Sequence, residues 1–149
     1  AYAERSETSA AERLGEVLAE ALEREIAKDA ALATSETQAQ SFWRLRESLS
    51  EAERAVGPAL QFDVSVPVAR MPDFMINAAR DVEQAFPGTT ASSFGHLGDG
   101  NVHFHARAPK GTDDGPAWVA EASAEISAFV HDAVVAAGGS ISAEHGIGQ

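Results

Sequence analysis

Three of the five histidines in this chain lie in one short stretch whose spacing could bind a metal ion. The stretch, residues 95–105, reads GHLGDGNVHFH. Its Asp-Gly pair favours a two-residue hairpin turn, which would place His96 directly opposite His103 on one face of two paired strands. Imidazoles so placed can share one metal ion. His105 would lie on the same face, because side chains alternate along a strand.

A second stretch would complete the metal site. After a Gly-Gly pair the chain continues as SISAEHGIG over residues 140–148, with Glu144 and His145 side by side. Two histidines and one glutamate form a catalytic set that leaves positions open for water or substrate. The pattern therefore predicts a divalent metal on His96, His103 and Glu144. The alternative is a glycine-rich loop with ordinary polar residues.

Size, charge and composition limit what the chain can be. Its 149 residues suit one domain with a real core. The formal net charge of −12 argues against nucleic acid or an anionic membrane as a partner. No run approaches the roughly 18 apolar residues of a transmembrane helix, and the sequence has no recognisable glycine-rich nucleotide loop. Without cysteine the chain can hold no disulfide or thiolate site, which fits a reducing compartment.

Apolar patterns indicate the elements that would carry these residues. Helical spacing, with capping or proline signals at the starts, predicts helices at residues 9–28, 35–56, 72–86 and 116–134. Extended or alternating patterns predict strands at residues 1–5, 30–33, 62–68, 89–96 and 102–108. Strands that alternate with helices and then pair as a hairpin indicate an α+β fold, with helices packed on one face of a sheet. The first helix is expected to cover that sheet.

The second predicted helix carries different residues on its two faces. The stripe that should be buried contains Phe42, Leu45, Leu49, Ala52 and Val56. The other face carries Trp43, Arg46 and Ser50. From spacing alone, Arg46 could stack on the tryptophan ring at the surface or bind a carboxylate through its guanidinium fork.

Taken together, the motifs resemble the C-terminal domain of FAD-linked oxidases. That family includes D-lactate dehydrogenases, glycolate oxidase flavoprotein subunits and D-2-hydroxyglutarate dehydrogenases. The resemblance rests on HLGDGNVH at 96–103 and EHGIG at 144–148, and extends to FWRLRE at 42–47 and DVSVP at 63–67. It implies a ferredoxin-like antiparallel sheet. It also implies that residues 1–149 are a fragment of a larger flavoprotein, lacking the upstream FAD-binding domain and the C-terminal end.

The same resemblance implies oxidation of a D-2-hydroxy acid, of lactate or glycolate type, to the 2-oxo acid. His96, His103 and Glu144 would hold zinc or manganese, which would lower the pKa of the substrate hydroxyl. His145 would remove the hydroxyl proton as general base. The hydride would pass to FAD held mainly by the absent domain, so the isolated chain is expected to be inactive.

Three further residues are expected, by resemblance, to contact the substrate. Arg46 matches an arginine that binds the substrate carboxylate, and Ser50 matches a hydroxyl-bearing position that contacts substrate in some relatives. His105 stands where some relatives have a substrate-binding asparagine, and it would contact substrate or serve as an extra metal ligand. Hydroxyglutarate-type members carry a lysine for the distal carboxylate where this chain has Gln61, which argues against a dicarboxylate substrate.

Two other classes of function stay open from the sequence. A His/His/Glu metal hydrolase would work without flavin, and a non-catalytic ferredoxin-like ligand-binding module would need no metal. For the flavoenzyme, the expected partners are the 2-hydroxy acid, the FAD domain of the same protein and an electron acceptor that the sequence does not identify. The sequence also leaves open whether the protein forms a homodimer. The expected location is cytoplasmic, with peripheral attachment of the whole protein to the inner membrane as the other option.

Overall fold

A computed structural model of the chain describes residues 7–143. The chain divides into two compact units, Ala1–Glu51 and Ala52–Gln149, and each is described by itself. The strand predicted at residues 1–5 and the predictions for Glu144 and His145 lie outside the described residues. No helix in the described range is long and apolar enough to cross a membrane.

The first unit is built on two helices, α1 (Glu7–Glu23) and α2 (Glu36–Val56), although the last residues of α2 belong to the second unit. Helix α1 begins before Ser9, so the predicted cap at Ser9 is wrong. At the start of α2 the predicted capping pattern is confirmed. The backbone N–H of Gln38 donates to Ser35 Oγ at 3.3 Å, and Gln38 Oε1 accepts from the backbone N–H of Thr34 at 2.8 Å.

Two predictions for the first unit are wrong. Residues 30–33 form no strand in the described chain, because a short apolar run has no periodicity to distinguish a strand from an irregular connection. The apolar stripe of α2 is not buried, since Leu45 is 69% exposed and Phe42 is 44% exposed. Helix α1 likewise leaves apolar side chains exposed, including Leu14 and Val17. Helical spacing shows which residues share a face, but it does not show whether another element covers that face.

The second unit is an antiparallel sheet with two helices packed on one face. In chain order its elements are β1 (Ala59–Ser65), a short 3₁₀ turn (Val68–Arg70), α3 (Met71–Ala85), β2 (Thr90–His96), β3 (Asn101–Arg107) and α4 (Gly115–Ala136). The strand order is β1-β3-β2, and both neighbouring pairs are antiparallel. The predicted α+β class is therefore confirmed. The boundaries of α3, α4, β2 and β3 agree with the predictions to within two residues, whereas β1 begins and ends three residues before the predicted strand at 62–68.

One face of the sheet forms the core. Alternate residues of β1 and β3 are buried there against α3 and α4, because side chains two apart on a strand point the same way. The sheet contributes Leu60, Phe62, Val64, Val102, Phe104 and Ala106, and the helices contribute Phe74, Val82, Ile126, Val130 and Val134. The remaining residues of the strands therefore lie on the opposite face.

The chain returns to the sheet after α4. Ser65 and Ser140 form an antiparallel bridge, with N–H···O distances of 2.9 and 2.8 Å, and the backbone N–H of Ala143 donates to the carbonyl of Asp63 at 3.1 Å. Residues 140–143 thus run along the outer edge of β1. The resulting element order, β-α-β-β-α followed by an edge segment, agrees with the predicted ferredoxin-like arrangement.

Candidate functional site

The side of the sheet turned away from α3 and α4 carries polar residues, and we call it the polar face. Its members from β1 are Gln61 and Asp63, those from β2 are Ser92, Phe94 and His96, and those from β3 are Asn101, His103, His105 and Arg107. Asn101, His105 and Arg107 are buried, although they lie outside the hydrophobic core. Burial of polar groups is costly unless they are paired, so their partners indicate how this face is organised.

The turn that leads into the polar face differs from the predicted one. Residues 97–100 form a four-residue connection, and β2 pairs with β3 so that His96 lies opposite Asn101. The prediction that His96 lies directly opposite His103 is therefore wrong. The shift is two residues, an even number, so His96 and His103 still share a face. Their ring centroids are 5.3 Å apart.

Side-chain and backbone hydrogen bonds explain the longer turn. The backbone N–H groups of Asp99 and Gly100 donate to the carbonyl of His96 at 3.4 and 3.0 Å. The Asp99 carboxylate accepts from the N–H of Asn101 at 3.0 Å. Gly100 has a φ of 77°, and its carbonyl accepts from the N–H of Val66 at 2.9 Å. The turn is thus tied to the chain just beyond β1, in a conformation that favours glycine.

Replacement of Gly100 by alanine is expected to destabilise the second unit. A Cβ at this position would overlap the Val66 carbonyl oxygen, and the left-handed φ alone costs about 1–2 kcal/mol for other residues. Gly98→Ala is the matched control, because a Cβ there meets nothing within 4 Å. Urea denaturation, monitored by circular dichroism, would measure the free energy of unfolding of both variants. Equal stability of the two would contradict the role assigned to Gly100.

Asp63 orients His103. The two residues are direct cross-strand partners, and Asp63 Oδ1 lies 3.4 Å from His103 Nδ1 while it accepts from Asn101 Nδ2 at 2.8 Å. A carboxylate at Nδ1 favours the tautomer with its proton on Nδ1, which makes Nε2 the nitrogen for a metal. Sequence reasoning missed this role of Asp63, although the alternation of β1 placed it away from the core.

A second carboxylate and histidine pair lies two residues further along β3. Glu53, near the end of α2 and within the second unit, places Oε2 at 2.9 Å from His105 Nδ1. The same oxygen accepts from Ser92 Oγ at 3.2 Å and forms an ion pair with Arg107. Arg107 Nη1 also donates to Ser92 Oγ at 2.9 Å. We call Glu53, Ser92, His105 and Arg107 the Glu53 cluster.

The Glu53 cluster is largely removed from water. Side-chain exposure is 8% for His105, 10% for Arg107 and 20% for Glu53. Burial lowers the pKa of His105 below its ordinary value, which favours the uncharged ring. The formal charges of Glu53 and Arg107 cancel in their ion pair. Sequence reasoning missed the cluster. The only signal was on α2, where Glu53 continues the helical spacing of Trp43, Arg46 and Ser50.

The other predicted site residues fall in different places. Arg46 lies on α2 in the first unit, where it lines an apolar groove of about 370 Å³ with Leu32, Phe42 and Trp43 among others. The side chain of Ser50 is outside the described part of the chain. The structure therefore brings together the three predicted histidines His96, His103 and His105, all on the polar face.

The described residues fit part of the predicted metal site. Among residues 7–143 no three His, Cys, Asp or Glu side chains are placed to hold a metal ion. Two of the three predicted ligands, His96 and His103, are adjacent, and one is backed by a carboxylate, as ligating histidines usually are. This donor chemistry suits a divalent transition metal.

Comparison with known proteins shows the family. Residues 1–149 match the model of FAD linked oxidases, C-terminal domain, and the chain belongs to that family. A D-2-hydroxyglutarate dehydrogenase of Xanthomonas citri pv. viticola is 37% identical over 120 residues, which cover 80% of this chain and 25% of that protein. A probable mitochondrial D-2-hydroxyglutarate dehydrogenase of Oryza sativa subsp. indica is 34% identical over 139 residues, which cover 91% of this chain and 22% of that protein. The chain thus spans about a quarter of the length of these relatives.

Proposed function

We propose that this chain is the substrate- and metal-binding domain of a flavin-dependent dehydrogenase that oxidises a D-2-hydroxy acid to the 2-oxo acid. The observation that carries the proposal is the adjacent pair His96 and His103 on the polar face, with Asp63 behind one of them. Membership of the FAD-linked oxidase family favours this reaction over a metal hydrolase or a non-catalytic module. The cytoplasmic location and the homodimer stay predictions.

The proposed metal ligands are His96, His103 and Glu144. When bound, zinc or manganese would supply a Lewis acid for the oxygens of the substrate. Asp63 supports the assignment from two sides. Its carboxylate contacts His103, and its backbone carbonyl binds the N–H of Ala143, which directly precedes Glu144 in the chain.

The remaining roles belong to side chains that bind the acid or move its proton. We propose that Arg46 binds the C1 carboxylate, because a guanidinium fork matches a carboxylate bidentately. Ser50 would add a hydroxyl contact, and His145 would take the proton of the C2 hydroxyl. FAD, held by the rest of the protein, would accept the two electrons of the oxidation.

The charge of the polar face favours a substrate with a single carboxylate. Arg107 is the only cationic residue in the three strands, and Glu53 neutralises it. Gln61, the cross-strand partner of His105, is an exposed amide without charge. A second carboxylate on these strands would meet Asp63 and Glu53, whereas Arg107, their one guanidinium, is already paired. We therefore propose that the substrate is an acid of lactate or glycolate type. D-2-hydroxyglutarate, which the names of the relatives suggest, is the alternative substrate.

The full-length flavoprotein is expected to be reduced faster by D-lactate or glycolate than by D-2-hydroxyglutarate. The expected ratio of second-order rate constants is about tenfold or more, which corresponds to about 1.4 kcal/mol. Anaerobic stopped-flow measurement of flavin absorbance isolates the chemical step. Gln61→Lys should lower the preference for the single-carboxylate acids over D-2-hydroxyglutarate, because it supplies a cation for the second carboxylate. Gln84→Lys, on the exposed surface of α3, should leave this preference unchanged.

Two results would contradict different parts of the proposal. If D-2-hydroxyglutarate reduces the flavin fastest in the unmodified protein, the single-carboxylate substrate is wrong. If none of the three acids reduces it, the 2-hydroxy acid class is wrong.

A further inference from the structure

We propose that Glu53 is a specificity-determining residue that fills an anion site with the protein's own carboxylate. Arg107, Ser92 and His105 form the receptor, and Glu53 occupies it from the end of α2. While Glu53 is present, this receptor cannot take the second carboxylate of a dicarboxylic acid. The link to substrate choice rests on the proposed function, whereas the existence of the receptor does not.

The receptor has the composition of a carboxylate site. One oxygen of Glu53 receives an ion pair from Arg107, a hydroxyl hydrogen bond from Ser92 and a ring N–H from His105. Because a carboxylate can only accept, the proton between Glu53 and His105 must be on Nδ1. Ser92 and His105 therefore donate to the same oxygen that forms the ion pair with Arg107, which is the arrangement expected around a bound anion.

The geometry also shows that the receptor is buried and built by several elements. Arg107 and His105 come from β3 and Ser92 from the neighbouring strand β2, so the donors are fixed by strand pairing. Ser92 Oγ accepts from Arg107 and therefore directs its single proton at Glu53. Removal of Glu53 would leave these donors in place around a vacated position.

Arg107 keeps donor capacity beyond its contacts within the cluster. Its Nε is buried without a hydrogen-bond partner among the described residues. A guanidinium can bind a free carboxylate through two parallel N–H···O bonds, which use Nε together with a terminal nitrogen. A small free carboxylate could therefore bind Arg107 in place of the Glu53 side chain.

The first test is chemical rescue of Glu53→Ala in this chain by formate, with thermal unfolding as the readout. The variant should be less stable than the parent, because Arg107 loses its buried partner. Formate should raise its melting temperature by a few degrees and saturably, since a ligand that binds only the folded state stabilises it by mass action. Sodium chloride at the same ionic strength is the control for salt. Glu51→Ala, an exposed glutamate on the same helix, is the matched variant.

The rescue should be specific to the vacated site. The parent chain and Glu51→Ala should show no saturable response to formate, and the double variant Glu53→Ala, Arg107→Gln should lose it. If Glu53→Ala does not fold, Glu53→Ser also removes the carboxylate and vacates its position, and formate should stabilise that variant. The proposal is overturned if neither Glu53 variant responds to formate beyond chloride, or if the response survives loss of Arg107.

The second test concerns specificity in the full-length flavoprotein. Glu53→Ala should raise the rate constant for flavin reduction by D-2-hydroxyglutarate relative to D-lactate by about tenfold or more. An unchanged ratio would overturn the role of Glu53 in specificity. Formate rescue requires neither flavin nor turnover, so failure of the proposed function and failure of this inference give different results.

Discussion

Replacement of His103 by alanine is expected to abolish tight binding of zinc or manganese by this chain. His103 is the proposed ligand that Asp63 orients, and its ring lies beside that of His96. Loss of a ligand should cost more affinity than the roughly 10–100-fold that accompanies loss of a partner behind a ligand. Calorimetric titration of the metal-free chain, or competition with a chelator of known affinity, would measure it.

Two further variants serve as controls, one on the core side of the sheet and one on its polar face. His131→Ala removes a histidine of α4, whose ring contacts Phe62 on the core side, and it should leave metal affinity unchanged. The metal affinity of Asp63→Asn should lie between those of the parent and His103→Ala, about 10–100-fold below that of the parent. If His103→Ala binds the metal as tightly as the parent, His103 is not a ligand.

Phe104→Ala is expected to lower the free energy of unfolding of the second unit by about 3–5 kcal/mol. Phe104 is fully buried on the central strand, with its ring centroid 6.3 Å from Phe62 and 6.5 Å from Phe74. Neither neighbour can fill the space without disturbing the packing of the sheet on α3. Because Phe104 lies between His103 and His105 on β3, its packing also holds the strand that presents both histidines.

Urea denaturation monitored by far-ultraviolet circular dichroism would measure this loss. Ile76→Ala is the control, because it removes a large apolar side chain that is 70% exposed on α3, and its effect should stay within about 0.5 kcal/mol. A loss below about 1 kcal/mol for Phe104→Ala would mean that the core is centred elsewhere.

The faces of the sheet were predictable from the sequence because they depend on a local rule. Alternation along β1 and β3 separates Phe62 and Phe104 from Asp63 and His103 whatever the strands pair with. The register was not predictable, because the Asp99 side chain bonds the N–H of Asn101 and lengthens the turn. The observed register differs from the predicted one by an even number of residues. His96 and His103 therefore lie on the same face, as predicted.

Burial and long-range contacts were harder to predict. The spacing of α2 correctly identified a helix, but no local pattern shows what covers Leu45 or which strand residue Glu53 meets. The contact between Glu53 and His105 joins a helix end to a strand 52 positions later. Only tertiary packing brings such residues together, so the Glu53 cluster could not be derived from spacing.

The bridge between Ser65 and Ser140 has a consequence for how the second unit folds. The hairpin of β2 and β3 is a local pairing, whereas about half of the chain separates Ser65 from Ser140. The entropy cost of closing a loop grows with its length, and structures with distant contacts fold more slowly. We therefore expect the hairpin with His96 and His103 to form early and the edge segment 140–143 to dock last. The segment that leads to Glu144 would then reach the edge of the sheet only at the final step of folding.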